Sequence, residues 1–515
     1  MKNEDTLLKR YAFKLLTNSI GLVFGIALVA VSSRGLGAKA YGDFGFLTDF
    51  FSKVLAFLSM GTSLALFTKL SQRQKEQGIL SFYFLFSCFV TVLLLLFVTS
   101  SVMMGWERLL WPEQQVSYVF WAAIFGLLTW FVQILTSIAD AYGATVPSEK
   151  SKLLQKGIGF FLLIVFFFTG LNLDLWFFYH FGLLGILIYF LVRVIKRHGS
   201  LKFRDCFLSI SQFKDYGKEF YEYSHPLFTF SLVWMIVGIL DRWLLQHFGG
   251  SVEQGFYTLS YQVGMLCFLF TSAMTPLITR EFAIAHGNNN IPELTRLFRR
   301  YIPLFYTISA YFACFLAVQS EKVIFIIGGK TFGDANWAVA IMAFYSVHQT
   351  YGQLSASVFH ATGQTSLYRN IGVTRMIIGL PVTYFLVAPH HQFGLDAGAV
   401  GLAGKMVVMQ IITVNVQLWF NTRLLHLNFI HFIAHQIVSV GCLLCISYVS
   451  IFIVDVGLGL DSSIWISFFV SGVLYTLFTA ILCLSFPIVF GIYRADLDFF
   501  VSYCLDKVRF KKQLR

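Results

Sequence analysis

Residues 36–72 read LGAKAYGDFGFLTDFFSKVLAFLSMGTSLALFTKLSQ, and residues 248–283 read FGGSVEQGFYTLSYQVGMLCFLFTSAMTPLITREFA. Each stretch opens on a glycine suited to a turn and sets a second glycine beside an aromatic residue. Each then runs through an apolar segment and ends on polar residues. The apolar part has about the 20 residues that an α-helix needs to cross a bilayer. Two such copies predict an internal repeat of membrane-spanning helices, both running in the same direction because about six helices separate them.

The rest of the chain agrees with that reading. Hydrophobic residues make up 57% and charged residues 12% of its 515 positions, whereas a soluble domain carries roughly 25% charge. Lipid must therefore serve as solvent for much of the surface. Apolar runs of spanning length cover 11–33, 44–68, 79–104, 116–140, 153–171, 174–195, 222–247, 254–279, 300–319, 337–362, 368–388, 396–420, 430–454 and 464–490. They are too long and too continuously apolar for alternating barrel strands. The prediction is an all-α, polytopic membrane protein of about fourteen transmembrane helices, in two parallel six-helix halves with two extra C-terminal helices. The halves would occupy 1–198 and 222–421, with a cytoplasmic amphipathic linker at 199–221. The extra helices and a basic tail would fill 422–515.

Short loops rich in Lys and Arg stay in the cytoplasm. Most of the 38 basic residues fall on the side of the N-terminus, so both termini are expected to be cytoplasmic. The net charge of +12 is thus a signature of topology and of affinity for membrane lipid heads. It does not point to nucleic acid, because no compact soluble domain gathers the basic residues. The first apolar run is long enough to remain as an anchor and is followed by no convincing cleavage site. Among the eight cysteines, Cys442 and Cys445 form a CxxC inside an apolar run without His or carboxylate partners, which reads as packing rather than a metal site.

Lys53 and Lys405 fall within spans, where a lysine at mid-depth costs about 2.5–3.5 kcal/mol to insert. At 100° per residue, Gly45, Asp49, Ser52, Lys53, Ala56, Ser59 and Ser63 share one side of the second span. Two explanations fit: a structural ion pair, since Asp49 precedes Lys53 by one turn, or the wall of a hydrated cavity, which also accounts for the serines. On the twelfth span, Gly394, Gly398 and Gly401 share a stripe with Lys405 and leave space beside its ammonium. Arg34, Asp241 and Arg242 sit near the outer ends of their spans, and His348, Gln349 and Gln353 form a polar patch in the tenth. Lys53, Lys405, Arg34 and Arg242 are candidate anion-binding residues; Asp49, Asp241 and His348 are candidates for coupling to an ion.

The stretch SSRGLGAKAYGDFGFLTDFFSKVLAFLSMGTSLALFTKLSQ at 32–72 is followed in order by ILDRWLLQHFGG, GFYTLSYQ, TPLITREFA, FIIGGKTFGDA and FHATGQTSLYRNIG. Together these resemble bacterial polysaccharide-biosynthesis membrane proteins of the O-antigen flippase type, within the multidrug, oligosaccharidyl-lipid and polysaccharide exporter superfamily. The resemblance implies an inner-membrane flippase that carries undecaprenyl-pyrophosphate-linked oligosaccharide outward by alternating access, for O-antigen (lipopolysaccharide), capsule or exopolysaccharide synthesis. It implies lipid-linked oligosaccharide, membrane lipids, and glycan polymerase and chain-length machinery as partners. No cofactor, metal or covalent catalysis is implied. The alternatives are a drug or cation exporter of the same superfamily, expected to line its cavity with carboxylates, and a membrane polymerase or ligase, expected to carry a large outer loop. The GKT within GGKTFG lacks the upstream glycine of a phosphate loop and reads as a turn.

Overall fold

The computed structural model describes residues 7–73, 76–198, 209–225, 228–268, 271, 275–460, 463–492 and 494. The basic segments at 199–208 and from 495 onward, with Cys206 and Cys504, lie outside these residues. The described elements are helical: α1 (Leu7–Ser59), α2 (Thr62–Gln72), α3 (Gln77–Met103), α4 (Glu107–Leu110), α5 (Val116–Ala141), α6 (Thr145–Thr169), α7 (Leu173–His198), α8 (Ile210–Ser224), α9 (Phe228–Leu266), α10 (Thr275–Gly287), α11 (Ile291–Val318), α12 (Ser320–Ile327), α13 (Asn336–Ala361), α14 (Thr365–Val387), α15 (Gly398–Leu424), α16 (Phe429–Phe452) and α17 (Ile464–Ser485).

Among the described residues, ten helices are long and apolar enough to cross a membrane. The remaining expected spans come from α1, α9 and α13. α1 carries the first and most of the second in one helix kinked at Gly37, the second ending in α2, and α9 carries the seventh and the first half of the eighth in one helix kinked at Gly250. α13 is less apolar because Ser346, His348, Thr350, Ser355 and Ser357 are turned into the protein interior. The all-α, polytopic reading of the sequence is thus the observed one, with two of the outer turns reduced to single-residue kinks.

The kinks have a stereochemical cause. Gly37 has φ 73° and ψ 172°, and Gly250 has φ 72° and ψ −173°. This region of conformational space is open essentially to glycine alone. The two kinked helices then cross with backbones in contact. A Cβ on Gly42 would lie 1.9 Å from the Ser251 carbonyl oxygen, and one on Gly255 would lie 2.1 Å from that of Ala38. Gly42 and Gly255 follow their kink glycines by the same interval, as do Ala38 and Ser251, so the contact is reciprocal between repeat copies. The α4 segment ties the crossing down. Trp243 donates to the Leu109 carbonyl (2.7 Å), Gln246 to that of Pro112 (3.2 Å), and Gln114 to Asp43 (2.7 Å).

The chain divides into two compact units, residues 1–258 with 376–402, and residues 259–375 with 403–515. In the first, Phe46, Phe51, Trp111 and Phe177 are fully buried in a continuous aromatic core. In the second, Phe298, Tyr306, Tyr351, Phe432 and Tyr475 do the same. The added helices α16 and α17 are anchored within the second unit by Lys322, whose ammonium donates to Asp455 and to Ser467, each at 2.6 Å. Bulky apolar side chains such as Phe84, Phe89 and Leu96 of α3 are exposed, as expected of a surface facing lipid.

Candidate functional site

The first unit assembles a cationic cluster between the part of α1 beyond Gly37 and the part of α9 before Gly250. Lys53 donates to the Asp49 carboxylate, one turn earlier, and to the Gly238 backbone carbonyl at 2.9 Å. The missing side chain at Gly238 makes this possible, because a Cβ there would lie 2.6 Å from Lys53 Cε. Arg242 Nε stands 3.7 Å from the same Asp49 oxygen. Two cations thus share one carboxylate. The Lys53 and Arg242 side chains are 13% and 10% exposed, against 30% for Asp49.

Arg242 is held on three sides. It donates to Gln254 Oε1 (2.7 Å) and Thr258 Oγ1 (2.9 Å), and its guanidinium lies 4.6 Å from the centre of the Tyr257 ring. Gln254 in turn donates to the Arg242 carbonyl. Thr258 occupies space vacated by Gly45, where a Cβ would approach its hydroxyl oxygen to 2.4 Å. The neighbouring Asp241 accepts a hydrogen bond from Thr383 of α14 at 2.7 Å. A rise of 1.5 Å per residue places Arg242 ~12 Å and Lys53 ~24 Å along their helices from the kink glycines, inside the ~30 Å hydrocarbon thickness.

Of the residues singled out in the sequence, Asp49, Lys53 and Arg242 come together, with Asp241 beside them. Arg34 is exposed on α1 near Gly37. Lys405 and His348 belong to the second unit, where both are buried. The His348 ring lies 5.7 Å from that of Tyr306, and its Nδ1 has no hydrogen-bond partner among the described residues. Ser63 does not share the Lys53 face: α1 stops at Ser59, α2 restarts after Gly61, and Ser63 bonds to the Tyr83 hydroxyl at 3.1 Å. The GGKTFG segment forms a short 3-10 helix, Lys330–Ala335, before α13.

Several polar residues of these clusters carry no distinctive signal in the sequence. Gln254, Tyr257 and Thr258 read as ordinary members of a repeat copy. In the second unit, Arg375 donates to Gln410, which donates to Gln349 at 2.9 Å. Arg375 lies well inside α14.

Among solved structures, the chain is similar to a lipid II flippase MurJ in an inward closed conformation, with a TM-score of 0.63 and 14% identity over 92% of this chain and 98% of that one. It is also similar to an inward-facing multidrug resistance MATE family transporter of the MOP superfamily, with a TM-score of 0.60 and 15% identity over 79% and 94%. A MOP superfamily transporter from Pyrococcus furiosus Vc1 gives a TM-score of 0.52 and 16% identity over 81% and 95%. At such identities the likeness is one of fold. No curated protein sequence matches. Residues 7–280 match the family described as polysaccharide biosynthesis protein, and because this is more than half of the chain, the chain belongs to that family.

Proposed function

We propose that this multi-pass membrane protein is a flippase for prenyl-pyrophosphate-linked oligosaccharide, serving O-antigen, capsule or exopolysaccharide synthesis in the bacterial inner membrane. The observation that carries the proposal is the cluster of Lys53 and Arg242 around the single carboxylate of Asp49 at membrane depth. A pyrophosphate cannot enter hydrocarbon unescorted, and pre-positioned cations offset its desolvation through charge-assisted hydrogen bonds. Asp49 keeps both cations in place when the site is empty, and the anion competes with it for them. A cationic cargo would need the opposite balance of charge. Lys405 and Arg34 are further candidates for contact with the anion, and Asp49, Asp241 and His348 for coupling. Flipping proceeds by alternating exposure of the site to the two leaflets. No bond in the cargo breaks.

The test is mass spectrometry of lipid-linked intermediates after depletion of the protein. Intact oligosaccharide on prenyl pyrophosphate should accumulate in the cytoplasmic leaflet; an unchanged pool would refute the assignment. The expected orientation has its own check. A cysteine at the exposed Lys39 should react with an impermeant thiol reagent from outside, and one at Lys218 on α8 should not.

A further inference from the structure

The first unit contains a cavity of 480 Å³ that the cationic site does not use. It lies where the linker helix α8 meets the break between α1 and α2, and its apolar wall is formed by Met60, Phe82, Phe86, Phe220 and Phe228. The amphipathic pattern of α8 explains the placement. Phe213, Tyr216, Gly217, Phe220 and Ser224 recur at helical spacing on one side, while Lys218 and Glu222 are exposed to solvent on the other. Phe220 packs on Phe82 at 5.1 Å between ring centres, and Glu219 fastens the helix through Lys69 at 2.6 Å and through Arg73. Such a helix, between two spans, lies at the membrane surface.

The cavity opens to the outside and is lined mainly by apolar side chains, so water fills it poorly and an apolar occupant would be favoured. Ser224 lines it and is 4% exposed, yet its hydroxyl has no hydrogen-bond partner among the described residues. At the rim, Tyr221 is 66% and Phe228 42% exposed, as interfacial aromatic residues are. We infer that the cavity binds one acyl chain of a membrane phospholipid, its ester and head group lying at the rim beside Tyr221. A volume of 480 Å³ suits one fatty acyl chain and is far too small for a polyprenyl chain several times longer. The inference does not depend on what the protein carries.

The test uses the full chain in mixed vesicles of phosphatidylethanolamine and phosphatidylglycerol, with a trace of phosphatidylethanolamine bearing a diazirine near the end of its acyl chain. Photolysis should label the segments around Phe82, Phe86 and Phe220. Gly217 lines the cavity, and a Cβ there meets only Phe82, at 3.9 Å, so Gly217→Phe fills the space while strengthening a helical position. This variant should lose labelling about tenfold. The spacing of a spin-label pair across α8 and α3, unchanged between the two proteins, would show that α8 remains docked. Labelling that misses these segments, or that survives Gly217→Phe with α8 docked, would overturn the inference. So would stronger labelling of these segments by a diazirine-bearing polyprenyl phosphate.

Discussion

Replacing Lys53 by Gln removes one of the two cations that face Asp49. If Lys53 grips the pyrophosphate, the loss is one charge-assisted hydrogen bond, about 1.5–3 kcal/mol, or a roughly ten- to hundredfold drop in apparent affinity. If Lys53 is only the partner of Asp49, the loss comes from an orphaned carboxylate. Removing one member of a fully buried pair costs about 3–5 kcal/mol. The Asp49 side chain is 30% exposed and keeps Arg242 at 3.7 Å, so water and the second cation reduce that to about 1–2 kcal/mol. The single variant is impaired on either account. The double variant Asp49→Asn with Lys53→Gln separates them. It abolishes the orphan, so the structural account predicts recovery; it restores no charge to the site, so the anion-binding account predicts none. Lys53→Arg, which keeps the charge, should retain much of the export. The assay is glycan export from cells that depend on the variant, at matched membrane levels. Recovery in the double variant would refute the role of Lys53 in binding substrate.

Other residues give further tests. Arg242→Met removes the one nitrogen, Nη1, that donates to both Gln254 and Thr258, so the buried Gln254 acceptor loses its donor and stability should fall by about 1–3 kcal/mol, read as a lower thermal midpoint in detergent; an unchanged midpoint would show that these bonds do not secure the site. Gly42→Ala and Gly255→Ala each drive a Cβ into a backbone carbonyl, and restoring an ordinary C···O contact of about 3.3 Å would push the helices more than an ångström apart. Both should be destabilised by at least the about 1–3 kcal/mol of overpacking, and by similar amounts because their contacts are reciprocal; a neutral result for either would contradict the crossing. At Glu219, burial acts to raise the carboxyl pKa, but hydrogen bonds and charge from Lys69 and Arg73 outweigh it and hold the group below its ordinary value. Its contribution to α8 docking is therefore complete above about pH 4.3 and is lost as pH falls through the lower folded-state value. A spin label at Lys218 should gain mobility on acidification, and Glu219→Gln should show that mobility already at neutral pH.

Composition and the length of apolar runs were enough to give the membrane class and nearly every span, because a helix in lipid must satisfy its own backbone and so leaves a continuous signal. The contacts between spans were less legible. Helical periodicity shows which residues share a face, not what that face meets. Asp49 and Lys53 could be paired because they lie one turn apart on α1, whereas the Gly238 carbonyl and Arg242 reach them from α9. An ideal helical wheel puts Ser63 on the Lys53 face because it continues through Met60 and Gly61, where the real helix stops.

The repeat also gives a reason to look for function where its copies differ. Gly37 and Gly250, Gly42 and Gly255, and Ala38 and Ser251 are equivalent positions, all small, and the reciprocal crossing of α1 and α9 requires them to be so. The charged residues break this correspondence. As far beyond Gly250 as Lys53 lies beyond Gly37, the chain has Leu266; opposite Asp49 in the same sense stands Gln262; and as far before Gly37 as Arg242 lies before Gly250, it has Val29. Even Thr258, which holds Arg242, is the counterpart of Gly45, whose missing side chain admits it. The first copy thus supplies one cation and its carboxylate, the second supplies the other cation and its supports, and neither copy keeps a charged residue at the partner's position. Backbone geometry accounts for the matched positions. The unmatched ones meet in a single asymmetric site that packing alone does not require, and each charge there bears a desolvation penalty that an apolar side chain would avoid.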